Sequence, residues 1–418
     1  MSEKECVELP YGRPMYVMAK PVGAACNLQC GYCYYLEKSR LYDASSQMMS
    51  DEMLDLFIRE YIHSQTTLEV LFTWHGGEPL LRPISFYERA LELQQKYADG
   101  RKVANCIQTN ATLIDDKWCE FFRRNDFLVG VSIDGPQPMH DSLRKTRRGE
   151  SSYQDVMRGL RLLNKHRVEW NAMATVNQAM AVVSNLTTEH PLEFYRFFRD
   201  DLECRFLQFT PVVERTCQTE GVERLMPGAE PRGEVMPYSI TAEQWGRFLC
   251  EIFDEWVRND VGRMFVQLFD STLANWVGEA VGVCTMSKYC GHAAVIEHNG
   301  DVYSCDHFVF PEYRLGNLRE KSLSEMMYGH RQSDFGVAKH PSLPRQCREC
   351  EYEFACHGEC PRNRFLTTAD GESGLNYLCK GYYSFFAHVA DAMDYMRRQL
   401  QQGLPPANVM KWMAKQRF

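Results

Sequence analysis

The sequence predicts an α/β chain: a partial (β/α)6 TIM-like barrel, then a small cysteine-rich domain and a C-terminal helix. Three observations carry that expectation. Up to about residue 215, short β-rich runs alternate six times with helical patterns. The connections are short, as in a parallel sheet with crossover helices. Residues suited to chemistry recur at the ends of the strands, where parallel α/β sheets place their reactive groups.

Residues 16–21 read as the first strand and lead into a loop holding Cys26, Cys30 and Cys33. Ser50 caps a helix to about His63, with Asp51 and Glu52 in its first turn, where carboxylates suit the helix dipole. Residues 68–74 form a second strand ending at His75-Gly76-Gly77-Glu78-Pro79, and a helix follows over 85–97. Strand 103–108 precedes helix 115–124, strand 127–133 precedes helix 152–166, and strand 169–176 precedes helix 191–200. Residues 204–211 are the sixth strand. Six units fall short of the eight of a closed barrel. Residues 216–240, rich in Glu, Gly and Pro, read as a loop or linker. Residues 241–259 read as a packing helix with Trp245, Phe248, Phe253 and Trp256 supplying its apolar surface. The expected division is a barrel over 15–215, linker and helices over 216–280, a cysteine-rich domain over 281–382 and a helical extension over 383–418, docking through a helix over 383–400.

Composition narrows the function. The 418 residues are 44% hydrophobic and 24% charged, as in ordinary soluble domains, and the net charge of −8 argues against nucleic-acid or anionic-membrane surfaces. The basic run from Arg144 to Arg148 is local and reads as a mainly solvated loop with one member available to a site. No secretion signal and no apolar run of membrane-spanning length is present, so a cytoplasmic protein is expected. Seventeen cysteines in such a chain point to metal or redox chemistry rather than disulfides.

The cysteines are clustered. Cys26, Cys30 and Cys33 form a CxxxCxxC run, and eight more fall from Cys284 to Cys379. Three thiolates on one loop can hold three irons of a [4Fe–4S] cube, leaving the fourth open to a small molecule, whereas ordinary four-cysteine sites close every iron. A zinc knuckle is the alternative, though zinc sites usually start from CxxC pairs. The later eight, Cys284, Cys290, Cys305, Cys347, Cys350, Cys356, Cys360 and Cys379, suit two closed four-thiolate clusters, and spacing alone also allows two zinc ions. Cys6, Cys106, Cys119, Cys204, Cys217 and Cys250 read as buried small hydrophobes. His292, His298, His307 and His357 read as polar loop residues.

Other residues gain meaning from position. Glycines at 76 and 77 let backbone approach a ligand with no Cβ between. Ser132 ends the fourth strand and Arg144 follows the next turn; a hydroxyl and a guanidinium suit a ligand carboxylate, although each alone reads as a turn residue or surface charge. Asp306 follows Cys305, and an anionic cluster beside it should raise its proton affinity into the range of a general base; a solvated loop aspartate is the plainer reading.

The CxxxCxxC run resembles the signature of the radical S-adenosylmethionine enzymes, and the later cysteines resemble the two-cluster SPASM extension of peptide-modifying members. Over nearly its whole length, through Cys26–Cys33, Gly76–Pro79, 108–110, 132–135, Phe206–Phe209 and Cys305–Asp306, the chain resembles the anaerobic sulfatase-maturating enzymes. That resemblance implies three [4Fe–4S] clusters and S-adenosyl-L-methionine, cleaved to methionine and a 5′-deoxyadenosyl radical. It assigns Cys26, Cys30 and Cys33 to the first cluster, Cys284, Cys290, Cys305 and Cys360 to another, and Cys347, Cys350, Cys356 and Cys379 to the last. It implies cofactor contacts from Tyr32, Gly76, Gly77, Glu78, Ser132, Arg144 and Val213, with Asp306 as base and Tyr35 and Gln108 positioning it and the target. The implied substrate is a Cys or Ser in an unfolded sulfatase segment, Cys/Ser-x-Pro/Ala-x-Arg, oxidised to Cα-formylglycine without oxygen. A flavodoxin- or ferredoxin-like electron donor is implied as partner. Ala111 stands where a glycine often follows the Gln-Thr-Asn segment, and His75 where some members carry glutamine. A SPASM enzyme forming thioether or carbon–carbon crosslinks is the alternative in the same class, and a non-catalytic metal scaffold or electron-transfer module the alternative outside it.

Overall fold

The structure, a computed structural model, describes residues 15–42, 48–178, 190–217, 223–224 and 234–415. In chain order, β1 (Tyr16–Lys20) leads to α1 (Asp51–Ser64), β2 (Glu69–Trp74) to α2 (Ile84–Tyr97), and β3 (Lys102–Thr109) to α3 (Asp116–Arg124). β4 (Leu128–Ser132) is followed by α4 (Gln137–Leu143) and α5 (Tyr153–His166). β5 (Trp170–Val176) precedes α6 (Pro191–Arg196), which runs into a π-helical turn over Phe197–Asp201, and then β6 (Phe206–Pro211). Three short strands, β7 (Arg215–Cys217), β8 (Glu223–Arg224) and β9 (Glu234–Val235), precede α7 (Ala242–Asn259), β10 (Phe265–Val266) and α8 (Gln267–Val277). Then come β11 (Ala293–Glu297), β12 (Asp301–Tyr303), β13 (Arg314–Asn317), α9 (Leu323–Met327) and α10 (His330–Val337). The chain ends with α11 (Arg345–Arg348), α12 (Glu353–Cys356), the hairpin of β14 (Leu366–Thr367) and β15 (Ser373–Leu375), α13 (Cys379–Gln401) and α14 (Asn408–Lys415). All six expected strands are present and in order. The linker expected over 216–240 lies largely outside the described residues.

The chain forms two compact units. The first gathers Met1–Ser132, Arg144–Trp170 and Tyr289–Lys339. Its strands run in the order β4-β3-β2-β1-β11-β12-β13. β1 to β4 pair in parallel, and β11 joins β1 in parallel with Val295 opposite Met18. β12 and β13 then add an antiparallel meander. The cap expected at Ser50 forms, its Oγ accepting from Met53 N at 3.2 Å; Asp115 caps α3 likewise, accepting from Trp118 N at 2.9 Å. Between the sheet and α1–α3 lies an aromatic core, with Phe57 edge-on to Phe72 and Trp74 edge-on to Tyr87.

The second unit gathers Ile133–Leu143, Asn171–Lys288 and His340–Phe418. Here β5, β6 and β10 pair in parallel. As expected, Trp245, Phe248, Phe253 and Trp256 of α7 are buried. They pack with Phe209, Phe269 and Phe385. α13 passes α7 at backbone contact: a Cβ on Gly381 would lie 2.2 Å from the Ala242 carbonyl oxygen. The helix is longer than expected from sequence, because it begins at Cys379.

Of the cysteines read as core residues, Cys119 and Cys204 are buried and Cys106 is half-buried. Cys250 departs from that reading: it lines a cavity with four other thiols. Cys6 and the Cys217 side chain lie outside the described residues.

Candidate active site

The cysteine loop is built against the Gly-Gly segment after β2. Gly77 N donates to Gly23 O and Glu78 N to Ala25 O, each at 2.8 Å, so the two loops continue the parallel pairing past the strand ends. Gly76 has φ +136°, and a Cβ on Gly77 would stand 2.0 Å from the Ala25 oxygen. Gly77→Ala should therefore push the cysteine loop away, and iron content after anaerobic reconstitution should fall by about four per chain. Those backbone donors are engaged, so carbonyl oxygens are what this segment offers an incoming amino group. The Glu78 side chain is also engaged. Fully buried, it accepts from Thr109 Oγ1 (2.7 Å), Asn110 N (2.8 Å) and Leu80 N (3.0 Å), tying β2 to β3. Burial pushes its proton affinity up to about 7 against those hydrogen bonds.

The basic run straps the loop from the other side. Leu28 bridges to Thr146, Gln29 N donates to Lys145 O, and Arg147 Nε donates to Cys26 O at 2.8 Å. Arg144 is buried and donates to the Tyr32 hydroxyl. Gln108 Nε2 donates to Ser132 Oγ at 2.9 Å. Tyr32, Gly76, Gly77, Glu78, Ser132, Arg144 and Gln108 are thus all in the first unit; Val213 is buried in the second, just after β6.

Burial pushes the Cys26 thiol up to about 12, with Glu78, Cys30 and Cys33 adding negative charge against Leu28 N–H, which donates to the sulfur at 3.3 Å. Such a crowded thiol set stays protonated unless cations replace the protons, so the donors suit a bound iron cluster. In the second unit, Cys347, Cys350, Cys356 and Cys379 line one cavity of about 690 Å³. Burial pushes Cys356 up to about 12 and Cys379 up to about 11, with neighbouring thiols contributing. Between Cys356 and Cys360 the chain turns through three successive left-handed residues, His357, Gly358 and Glu359. The Arg364 guanidinium holds that turn by donating to all three carbonyl oxygens, at 2.7, 2.8 and 3.1 Å. Of the remaining set, Cys290 and Cys305 belong to the first unit and Cys284 and Cys360 to the second.

Asp306 starts a helical turn after Cys305. It accepts a hydrogen bond from the Tyr34 hydroxyl, one residue past Cys33, and its other oxygen lies 2.6 Å from Lys20 Nζ. Lys20 ends β1 and is fully buried. Burial alone would raise the proton affinity of Asp306, but the Lys20 charge, with His75 and His307 adding, outweighs it and holds the carboxyl well below its usual range. The sequence expectation of a raised affinity rested on an anionic cluster at Cys305; Lys20, on a distant strand, opposes it. Tyr35 also differs from expectation: its hydroxyl donates to buried Glu297, and its ring lies 4.2 Å from Lys20 Nζ. Tyr34 rather than Tyr35 therefore meets Asp306 directly. His307 stacks on Tyr34, and His298 is buried beside Glu297, so neither is a plain loop residue.

Lys20 is the residue sequence reasoning missed. Its signal was a lysine at the C-terminal end of an otherwise apolar strand, where a solvated side chain is unexpected.

Two family models match the chain: the radical SAM superfamily over residues 21–198 and an iron–sulfur cluster-binding domain over 284–351. The architecture and these matches define a radical S-adenosylmethionine enzyme with an iron–sulfur extension. The chain is 59% identical to a serine-type anaerobic sulfatase-maturating enzyme of Bacteroides thetaiotaomicron over 404 residues, 96% of each chain. It is 31% identical to a cysteine-type enzyme of Clostridium perfringens, covering 90% of this chain and 96% of that one. The chain belongs to the anaerobic sulfatase-maturating enzymes. The solved structure of native anSMEcpe with bound AdoMet superposes with a TM-score of 0.80 at 28% identity, covering 92% of this chain and all of that one. The α/β architecture of partial barrel, iron–sulfur domain and C-terminal helices is the one this likeness spans. A second structure of that protein holds AdoMet and a peptide, with a TM-score of 0.79 over 93% of this chain.

Proposed function

We propose that the protein oxidises a serine in an unfolded sulfatase segment to Cα-formylglycine, using three [4Fe–4S] clusters and S-adenosylmethionine. The observation that carries the reading is the Lys20–Asp306–Tyr34 set, a buried ionised carboxylate joined to the cysteine loop. The serine preference is supported by the 59% identity to a serine-type relative, against 31% to a cysteine-type one. Cys26, Cys30 and Cys33 would hold the first cluster, and Cys347, Cys350, Cys356 and Cys379 a second; the third is supported by the family resemblance. When bound, these groups supply acceptors for one Cβ hydrogen atom and one electron. Asp306 takes the hydroxyl proton, so CH2–OH becomes CH=O with a hydrogen atom, a proton and an electron accounted for. Loss of the Cβ hydrogen makes the attached O–H more acidic, so a carboxylate of low basicity suffices. Lys20 keeps that carboxylate ionised, and Tyr34 fixes its direction. Tyr35 acts on it through Lys20, and Gln108 orients Ser132 toward the cofactor carboxylate, with Arg144 and Tyr32 beside it. A flavodoxin- or ferredoxin-like donor supplies electrons, in the cytoplasm; among the described residues no helix is long and apolar enough to cross a membrane.

A peptide of about 15 residues containing Ser-x-Pro-x-Arg should lose about 2 Da, and its cysteine counterpart about 18 Da through exchange of sulfur for oxygen, each product reacting with a hydrazine. Hydrazine-inert, ring-type products from both peptides would replace this reading with the crosslinking one. Conversion of the cysteine peptide alone would overturn only the serine preference.

A further inference from the structure

The Lys20 ammonium has three N–H donors and no acceptor. One side meets Asp306 at 2.6 Å and another His75 Nδ1 at 3.2 Å. The third contact is the ring of Tyr35, whose centroid lies 4.2 Å from Nζ. An aromatic face attracts a cation, most strongly where both are out of water, and Lys20 and Tyr35 are both buried. The edge of the same ring is also engaged, because the Tyr35 hydroxyl donates to Glu297 Oε1. Glu297 ends β11 and stands opposite Lys20 in the parallel register with β1. It is 1% exposed. Its Oε2 has no hydrogen-bond partner among the described residues and lies 3.5 Å from His298 Nδ1, which has none either. A carboxylate buried with one oxygen unpaired costs stability, and the proposed reaction gives it no task so far.

We infer that Glu297 is a positioning residue, acting through the Tyr35 phenol on Lys20 and, through Lys20, on Asp306. The inference rests on the proposed reaction and deepens it. A phenol donating to a carboxylate becomes richer in electrons, as groups in a hydrogen-bonded chain polarise one another, and its face then holds the ammonium more firmly. Lys20 needs such a hold, since its charge sits on a flexible four-carbon stem. The need is greatest during the reaction itself. As Asp306 takes the hydroxyl proton its negative charge is neutralised, and its grip on Lys20 slackens. Glu297 takes no part in that transfer, so the hold it exerts through Tyr35 lasts through the step. Lys20 therefore stays in place, and with it the oxygen it fixes.

The test uses reconstituted holoenzyme and the serine peptide. Glu297→Gln keeps size and an oxygen acceptor for Tyr35 but removes the charge. It should lower kcat for aldehyde formation by about 10-fold. KM for the peptide should stay within about 2-fold, with iron content and 5′-deoxyadenosine formation unchanged. Tyr35→Phe breaks the same link, so in that background Glu297→Gln should cost less than about 2-fold more. The full 10-fold loss persisting there would show that Glu297 acts by another route and would overturn the inference. So would a fall in iron content or cofactor cleavage that matches the fall in aldehyde, since Glu297 would then only support the fold. A second measurement needs no turnover: crystal structures of the parent and of Glu297→Leu, grown without air. In the leucine variant the Tyr35 ring should leave Lys20, and Lys20 Nζ should move out of hydrogen-bond reach of Asp306; unchanged positions would overturn the inference. If the parent yields no aldehyde, the proposed function fails, and the crystal comparison still decides whether Glu297 positions Lys20.

Discussion

Asp306→Asn should leave cofactor cleavage running while aldehyde formation falls by about 10²–10⁴-fold. The substitution keeps size and removes the carboxylate joined to both Lys20 and Tyr34. Cleavage depends on the cysteine loop and its bound cofactor, which Asp306 does not hold, so 5′-deoxyadenosine should continue to form. The measurement is 5′-deoxyadenosine by chromatography against formylglycine peptide by mass spectrometry, in the same reaction. Parental aldehyde yield from the variant would show that another group takes the proton.

The second large effect is expected from replacing Cys26, Cys30 and Cys33 together by alanine. The three proposed clusters would hold about 12 irons, and the variant should retain about eight while producing no 5′-deoxyadenosine. The loop remains tied by Gly77, Glu78 and Arg147 through backbone oxygens, so loss of the thiols need not unfold it. Continued cofactor cleavage would sink the assignment of the open cluster to these cysteines.

The six parallel strands were legible because each alternates or runs apolar between clear turn residues and ends in chemistry-bearing loops. The cap at Ser50 was legible because a hydroxyl side chain stands just before a periodic apolar run. The β11–β13 meander was missed although Asn299-Gly300 is a tight-hairpin signal, with Gly300 at φ +93°. Attention to cysteine spacing hid it, and the parallel docking of β11 on β1 joins positions 277 residues apart, Tyr16 and Ala293, which no local pattern announces. The same distance hid the partner of Asp306. Its own neighbours suggested an anionic setting, while an opposing charge comes from Lys20 on β1. Tyr34 and Tyr35 could not be told apart from sequence either, because which phenol turns inward depends on Glu297, another distant carboxylate. Ala111 was legible as an oddity and the structure gives its meaning: it sits buried at φ +60°, the backbone state that glycine adopts without cost.

The left-handed turn over His357, Gly358 and Glu359 bears on how the protein is made. Only one of the three residues is glycine, so the other two oppose that conformation by about 1 kcal/mol each. Arg364 holds the chain there, with Asn376 and Asn363 donating to Glu359. Under the proposed ligand assignment, clusters on Cys356 and Cys360 would grip both ends of the turn, and a nascent chain lacking iron would keep only these hydrogen bonds. Iron delivery would then help complete the folding of this segment, and newly synthesised protein would be more open to proteolysis while iron is scarce.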